Sequence, residues 1–191
     1  MPADAEMVAR ILGQAFERDP LLNWVLPNPA NYPEYFATMA RYLYLKHDMV
    51  YMAEDGSGAA MCLPPNVTHE ALSRRQVFTL LRKMRSAGGV RGLVRYLKLS
   101  RIFQEQYPPQ PYVYLHAIGV RKDRQGCGVG SSLLQVVLSQ CDREVLCAYL
   151  ENANDRNLPL YERHGFRCIH KIALSVDGPR IRFMLRRPHA G

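Results

Sequence analysis

Apolar side chains recur at helical spacing near the start of the chain: Met7, Val8, Ile11, Leu12, Ala15 and Phe16. This spacing predicts an amphipathic helix over 3–18, with Asp4 as its N-cap. Asp19-Pro20 ends it, because a residue before proline is steered out of the helical region. The Pro- and Asn-rich stretch LLNWVLPNPANYP reads as a loop carrying an exposed Trp24. A second helix is predicted over 33–47, with Pro33 in its first turn. MVYMA (49–53) and AAMCLP (59–64) flank the turn EDGSG and predict a hairpin. Residues 69–106 read as one long helix or two shorter ones, interrupted at Gly88-Gly89.

Beyond PPQP the pattern changes to short apolar runs separated by turns. YVYLHAIGV (112–120) is aromatic, β-branched and strand-like. RKDRQGCGVG is a basic, glycine-rich loop, and SSLLQVVLSQCDR (131–143) a helix. EVLCAYLE (144–151) contains a strand, and NDRNLPLYERHGF leads through a short helix. A hairpin, roughly 166–175 and 180–186, closes the chain with a turn at Asp177-Gly178-Pro179. There is no repeat, low-complexity tract or interdomain linker, so the expectation is one α/β domain over 1–191.

Composition narrows the class. At 191 residues, 48% hydrophobic and 22% charged, the chain suits a soluble domain with a sizeable core. No apolar run would span a bilayer. MPADAEMVAR lacks the basic start and apolar stretch of a signal peptide, so a cytoplasmic location is expected. The five cysteines, Cys62, Cys127, Cys141, Cys147 and Cys168, form no C-x-x-C pair. Their odd number fits reduced thiols, and zinc-site spacing is lacking, so no metal is expected. The net charge of +8 attracts anions without choosing among nucleotides, CoA, nucleic acid and acidic membrane. Much of it lies between Arg74 and Arg101, including Arg82, Lys83, Arg85, Arg91, Arg95 and Lys98. That run reads first as a solvated helix face, and second as a guide for an anionic ligand.

The glycine-rich loop carries the chemistry. It joins a strand to a helix, its glycines allow close backbone approach, and the helix start offers unpaired N–H donors and a partial positive charge. These are the elements of a phosphate site. A Walker A loop fails, since Gly130-Ser131 lacks the lysine. A dinucleotide fingerprint fails too, since Ser131 stands where its last glycine is needed and no acidic strand end follows about 20 residues on. Q-x-x-G-x-G does fit, as Gln125, Gly128 and Gly130.

The context VYLHAIGVRKDRQGCGVGSSLL resembles the acetyl-CoA motif of the GNAT superfamily of acyltransferases: a strand, [QR]-x-x-G-x-[GA], then a helix. After the next strand the family places Asn, a residue at +3, Tyr at +7 and a Gly-Phe pair. Here Asn154, Asn157, Tyr161 and Gly165-Phe166 match. RNLPLYERHGF, together with Ala15, Phe16, Asp19 and Pro20 and the L-P-P at 63–65, looks closest to the branch containing puromycin N-acetyltransferase. The specific match covers residues 112–166.

The resemblance implies a single-domain GNAT fold. Its sheet is mixed and mostly antiparallel, flanked by helices and splayed between two central parallel strands, here 112–120 and 147–151. The family's first edge strand would be missing, or would lie upstream of Met1. It also implies acetyl-CoA as co-substrate. Main-chain groups of Ile118, Gly119 and Val120 would pair with pantetheine, and an N–H near Ile118 would hold the thioester oxygen. Backbone of Gln125, Gly126, Cys127, Gly128, Val129, Gly130 and Ser131 would clasp the pyrophosphate, and Asn154 would bond the pantetheine arm. Tyr161 becomes the acid: a phenol, with a pKa of about 10, is protonated at neutral pH and can donate to the departing thiolate.

An amine acceptor must lose a proton before it attacks. Glu151, at the end of its strand, is slightly favoured as base, because a carboxylate also draws in a cationic amine. His116, placed by two-residue alternation on one face with Tyr114 and Ile118, and a water chain are the alternatives. Cys127 stands where the family often has a basic or polar residue, and the helix start would make it reactive. Trp24, Tyr32 and Tyr35 read as core packing first and as acceptor-pocket walls second.

The expected activity is therefore acetylation of a primary amine on a small molecule, by direct attack in a ternary complex. The alternatives are a protein N-terminal or lysine acetyltransferase, and a non-catalytic CoA-binding regulator. The expected partner is a small-molecule amine, with no stable nucleic acid and no membrane, the chain acting as monomer or homodimer.

Overall fold

A computed structural model describes residues 5–65, 67, 73–176 and 178–189. Asp4, residues 69–72 and Asp177, expected as a cap, a helix start and a turn, lie outside them. The chain forms α1 (Ala5–Ala15), α2 (Pro20–Val25), α3 (Tyr32–Met39), β1 (Val50–Met52), β2 (Gly58–Leu63) and α4 (Arg74–Glu105). Then come β3 (Tyr112–Val120), α5 (Val129–Arg143), β4 (Cys147–Asn152), α6 (Leu158–Arg163), β5 (Arg167–Ala173) and β6 (Arg180–Arg186).

The six strands make one sheet in the order β1-β2-β3-β4-β6-β5. Every pairing is antiparallel except β3 with β4. Among the described residues no strand precedes α1, and β1 forms the sheet edge. Two apolar clusters cover the two faces. One gathers α1, α3 and parts of α2 and α4 over Ala59, Met61, Tyr114 and Tyr149. The other sets Leu134, Val137, Leu138 and Cys141 of α5 against Cys62, Leu115, Leu150 and Met184. Strand alternation explains the division, since neighbouring residues leave the sheet on opposite sides.

The main departure from the expected elements is α2, inside the stretch read as a loop. Pro20 sits in its first turn, and the Asp19 carboxylate caps it by accepting the Leu22 N–H at 2.8 Å. Asp19-Pro20 thus ends one helix and starts the next, as an Asx cap followed by Pro does. Trp24 is half-buried rather than exposed, because the Arg95 guanidinium lies 4.4 Å over its ring and donates to the Trp24 carbonyl at 2.7 Å. α3, the helix expected over 33–47, changes form after Met39, through a π turn (Ala40–Tyr44) and a 3-10 turn (Leu45–His47).

The predicted interruption of α4 is a kink at Gly89, where φ is +65° and ψ is −168°. Its basic run is not wholly a solvated face. Lys83 bonds Thr38 and pairs with Glu34, Arg95 covers Trp24, and Lys98 donates to the Leu174 carbonyl. These cations staple the helix to the body, while Arg82, Arg85, Arg91 and Arg101 remain exposed.

Candidate functional site

β3 and β4 run together only briefly. Their register covers Tyr112↔Cys147, Val113↔Ala148 and Tyr114↔Tyr149 and then stops, although both strands continue. The sheet is therefore split from Leu115 and Leu150 onward, between the two strands where the resemblance implied a splay.

The backbone facing this split follows from the β2 pairing. The Arg121 N–H donates to the Ser57 carbonyl at 2.8 Å. In an antiparallel ladder, alternate residues exchange hydrogen bonds and those between turn away. With Gly119 opposite Ala59 and Ile118 opposite Ala60, Gly119 pairs inward, while the N–H and C=O of Ile118 and Val120 turn toward the split. Gly119 serves packing instead: a Cβ there would lie 2.6 Å from the Ala15 Cβ and 3.0 Å from Leu12 Cδ2, so its bareness seats α1 on the sheet.

The glycine loop follows directly. Gln125 to Gly128 are exposed. Gly126 and Gly128 hold φ of +80° and +85°, and a Cβ at either would meet nothing within 4 Å. Glycine is needed there for the left-handed backbone, not for room. No side chain caps α5, which begins at Val129, so its first-turn N–H groups stay unpaired and aim at the open loop. Gln125 does not plug the turn; its side chain donates to the Val120 carbonyl at 3.1 Å. Cys127 is exposed, its thiol 3.9 Å from the Gln125 carbonyl. The Ser131 hydroxyl meets His164 Nε2 at 2.5 Å, an α5–α6 tie that the sequence did not suggest. Gly130 lies between Val120 and Leu160. This turn can receive a diphosphate through main-chain donors.

A cavity of about 160 Å³ opens at the split, several times the ~30 Å³ share of one liquid water. Its lining draws on both cores: Tyr114, Ala117 and Glu151 from the α1–α4 side, and Leu115, Ile118, Leu150 and Tyr161 from the α5 side. Residues on opposite faces share a cavity only where the sheet is open.

Tyr161 packs edge-on to Phe166, with ring centroids 5.9 Å apart. Burial and the nearby Asp19 carboxylate raise its pKa, so its phenol stays protonated at neutral pH. Glu151 Oε2 accepts the Tyr114 hydroxyl at 2.7 Å, and its Oε1 is buried without a hydrogen-bond partner. Burial pushes the Glu151 carboxyl up to about 7, against the lowering effect of the Tyr114 and Tyr149 hydroxyls. The tyrosine clamp on Glu151 was not foreseen, since it depends on cross-strand register.

His116 lines the same cavity and stacks on Tyr44, with centroids 4.9 Å apart. Simple alternation is wrong here. The register steps from Met61↔Ala117 to Cys62↔Leu115, leaving His116 as the extra residue of a bulge. The bulge reverses parity, so Ile118 packs with the core opposite Tyr114. Asn154 stands beyond β4 with its side-chain oxygen accepting the Arg156 N–H at 3.2 Å; its amide nitrogen is what remains for a ligand. Asp19, read only as a helix stop, also lines the cavity. Of the three N-terminal aromatics, Tyr35 is on the wall, while Tyr32 is buried and bonds Asn23 and the Leu26 carbonyl.

Residues 49–166 match the acetyltransferase (GNAT) family. The chain belongs to that family. The GNAT fold runs beyond the matched segment, as solved structures show. That of a histone acetyltransferase HPA2 and related acetyltransferase from Corynebacterium glutamicum is 22% identical, covers 100% of this chain and 96% of its own, and has a TM-score of 0.67. A Drosophila melanogaster polyamine N-acetyltransferase is 16% identical, with 97% of each chain covered and a TM-score of 0.66. The NatC complex bound to Gag peptide and CoA is 13% identical, covers 99% and 97%, and has a TM-score of 0.54. GNAT enzymes use acetyl-CoA. Among the described residues no group of His, Cys, Asp and Glu is placed to hold a metal, and no helix is long and apolar enough to cross a membrane.

Proposed function

We propose that this GNAT chain transfers acetyl from acetyl-CoA to a primary amine of a small molecule. The observation that carries the reading is the cavity at the β3–β4 split, which Tyr161, Glu151 and Ile118 all line. Acetyl-CoA, held at the split and the glycine loop, supplies an activated acetyl thioester. The chain's own residues then divide the work. The gap-facing backbone of Ile118 and Val120 bonds the pantetheine arm, aided by the Asn154 amide. Backbone of Gln125 to Ser131 takes the pyrophosphate. The Ile118 N–H, turned toward the split, would be the donor for the acetyl oxygen, where a preorganised donor offers a few kcal/mol to growing negative charge.

Glu151 is the base of this proposal. A carboxyl poised near neutrality takes a proton from an ammonium and exists as carboxylate often enough to do so. His116, enclosed between aromatic rings, is the second choice. Tyr161 donates the proton that the thiolate needs on leaving. A small-molecule acceptor is favoured over a protein tail because the cavity is walled on one side of the sheet by α2, α3 and α4 and by Phe16 and Asp19 of the link before α2. The RNLPLYERHGF segment supports a place near the puromycin N-acetyltransferase branch.

Thiol release from acetyl-CoA across an amine panel tests the proposal, with Tyr161→Phe as control. Tight acetyl-CoA binding without turnover of any amine would favour the non-catalytic regulator instead.

A further inference from the structure

The cavity differs in character from the protein around it. The chain carries a net charge of +8, yet none of the described residues lining the cavity is Lys or Arg. Its ionisable acids are Asp19 and Glu151, and they are not equivalent. Asp19 is committed to the start of α2, where its carboxylate accepts a backbone N–H. Glu151 keeps one oxygen buried and unpartnered. A buried carboxylate oxygen with no donor is costly, and an ammonium group would satisfy it. Beside it on the wall, Asn152 is 3% exposed with its side-chain nitrogen also unpartnered, one donor for an acceptor atom on the guest.

Away from Glu151 most of the wall is hydrocarbon and aromatic: Leu22, Phe36, Met84, Leu99 and Phe103 contribute from three helices, with Ser100, Gln104 and Asn157 as uncharged polar interruptions. With Asp19 taken up by the start of α2, a second cation lying toward α4 would lose its water with no free counter-charge beside it. A hydroxyl-covered sugar would give up many hydrogen bonds and regain few. An apolar chain or ring gains about 25 cal/mol for each Å² it buries.

We infer that the acceptor site selects a monoamine with an apolar or aromatic body, its ammonium held at Glu151 and its body lying toward α4. This rests on the proposed reaction for what happens to the amine, but the selection itself is a binding property and is measured without acetyl-CoA. Calorimetric titration of the full chain at pH 8 with hexylamine and 2-phenylethylamine is compared with 1,6-diaminohexane, glucosamine and a lysine-containing peptide. The apolar monoamines bind at least tenfold more tightly than the other three. Glu151→Gln weakens them about tenfold, and Leu99→Gln narrows the gap between hexylamine and 1,6-diaminohexane. If the diamine, sugar or peptide binds as well as the monoamines, or Glu151→Gln leaves hexylamine affinity unchanged, the inference is overturned. Thiol release with the same amines reports separately on the reaction: failure there with monoamine selectivity intact removes the acetyl transfer and leaves the binding preference standing.

Discussion

Tyr161 and Glu151 are tuned in the same direction by the same cause, and the consequence differs because the proposed reaction asks one to give a proton and the other to take it. Burial keeps the Tyr161 phenol protonated. Tyr161→Phe should lower kcat by about 10²-fold or more while acetyl-CoA affinity by calorimetry is unchanged; loss of affinity instead would assign the ring a packing role. Burial also raises Glu151, to about 7, so activity should climb with pH through that value as the carboxylate forms. Glu151→Gln should flatten this limb of the kcat/KM profile; a limb that persists in the variant would shift the role to His116. The stability sign is opposite to that of a paired carboxylate. Between the ordinary carboxyl pKa of 4.5 and about 7, the folded state holds more proton than the unfolded one, so stability falls as pH rises. Glu151→Gln removes that penalty, and should raise Tm by a few degrees at pH 8 and much less at pH 5.

At the scale of elements, two glycines do different jobs in neighbouring places. Gly119 yields space to α1. Gly119→Ala forces its Cβ against Ala15 and Leu12, and overpacking of this kind costs about 1–3 kcal/mol, readable as a lower denaturation midpoint. Gly128 yields a backbone angle, and has open space where a Cβ would go. Gly128→Val should disturb the loop more than the core: acetyl-CoA affinity falls about tenfold or more, and Tm moves less than for Gly119→Ala. The same contrast explains what could be read beforehand. The glycine loop, the strand before it and α5 were legible because their signals are local: spacing, turn residues and helix period. The α2 helix was not, because six residues between prolines carry too little periodicity, and its stability comes from the Asp19 cap and packing on α4.

At the scale of the whole molecule, the strand beyond the split is tied to the opposite helix layer by Arg186 and Asp142. Arg186 is 4% exposed and makes paired 2.8 Å bonds to both carboxylate oxygens. Asp142→Ala would strand a buried guanidinium, at a cost of about 3 kcal/mol or more, and the Tm should fall accordingly. Its hydrogen bonds to Arg186 hold the Asp142 carboxyl below its ordinary range. The contribution is therefore present above the unfolded carboxyl pKa and is lost as pH falls through the lower folded value. A wild-type advantage over Asp142→Ala that persists undiminished at pH 2 would contradict this.

Local signals in the sequence determined most of the elements, the glycine-rich turn before α5 and the tyrosine at 161, because each is written in residues a few positions apart. Tertiary structure alone decided what those residues face. Where β3 leaves β4, which carbonyls turn into the gap, the bulge that sends His116 and Ile118 to opposite sides, and the tyrosine hydroxyl that clamps Glu151 all depend on register between strands distant in the chain. Register is fixed by the packing of both sheet faces at once, and no single segment contains that information.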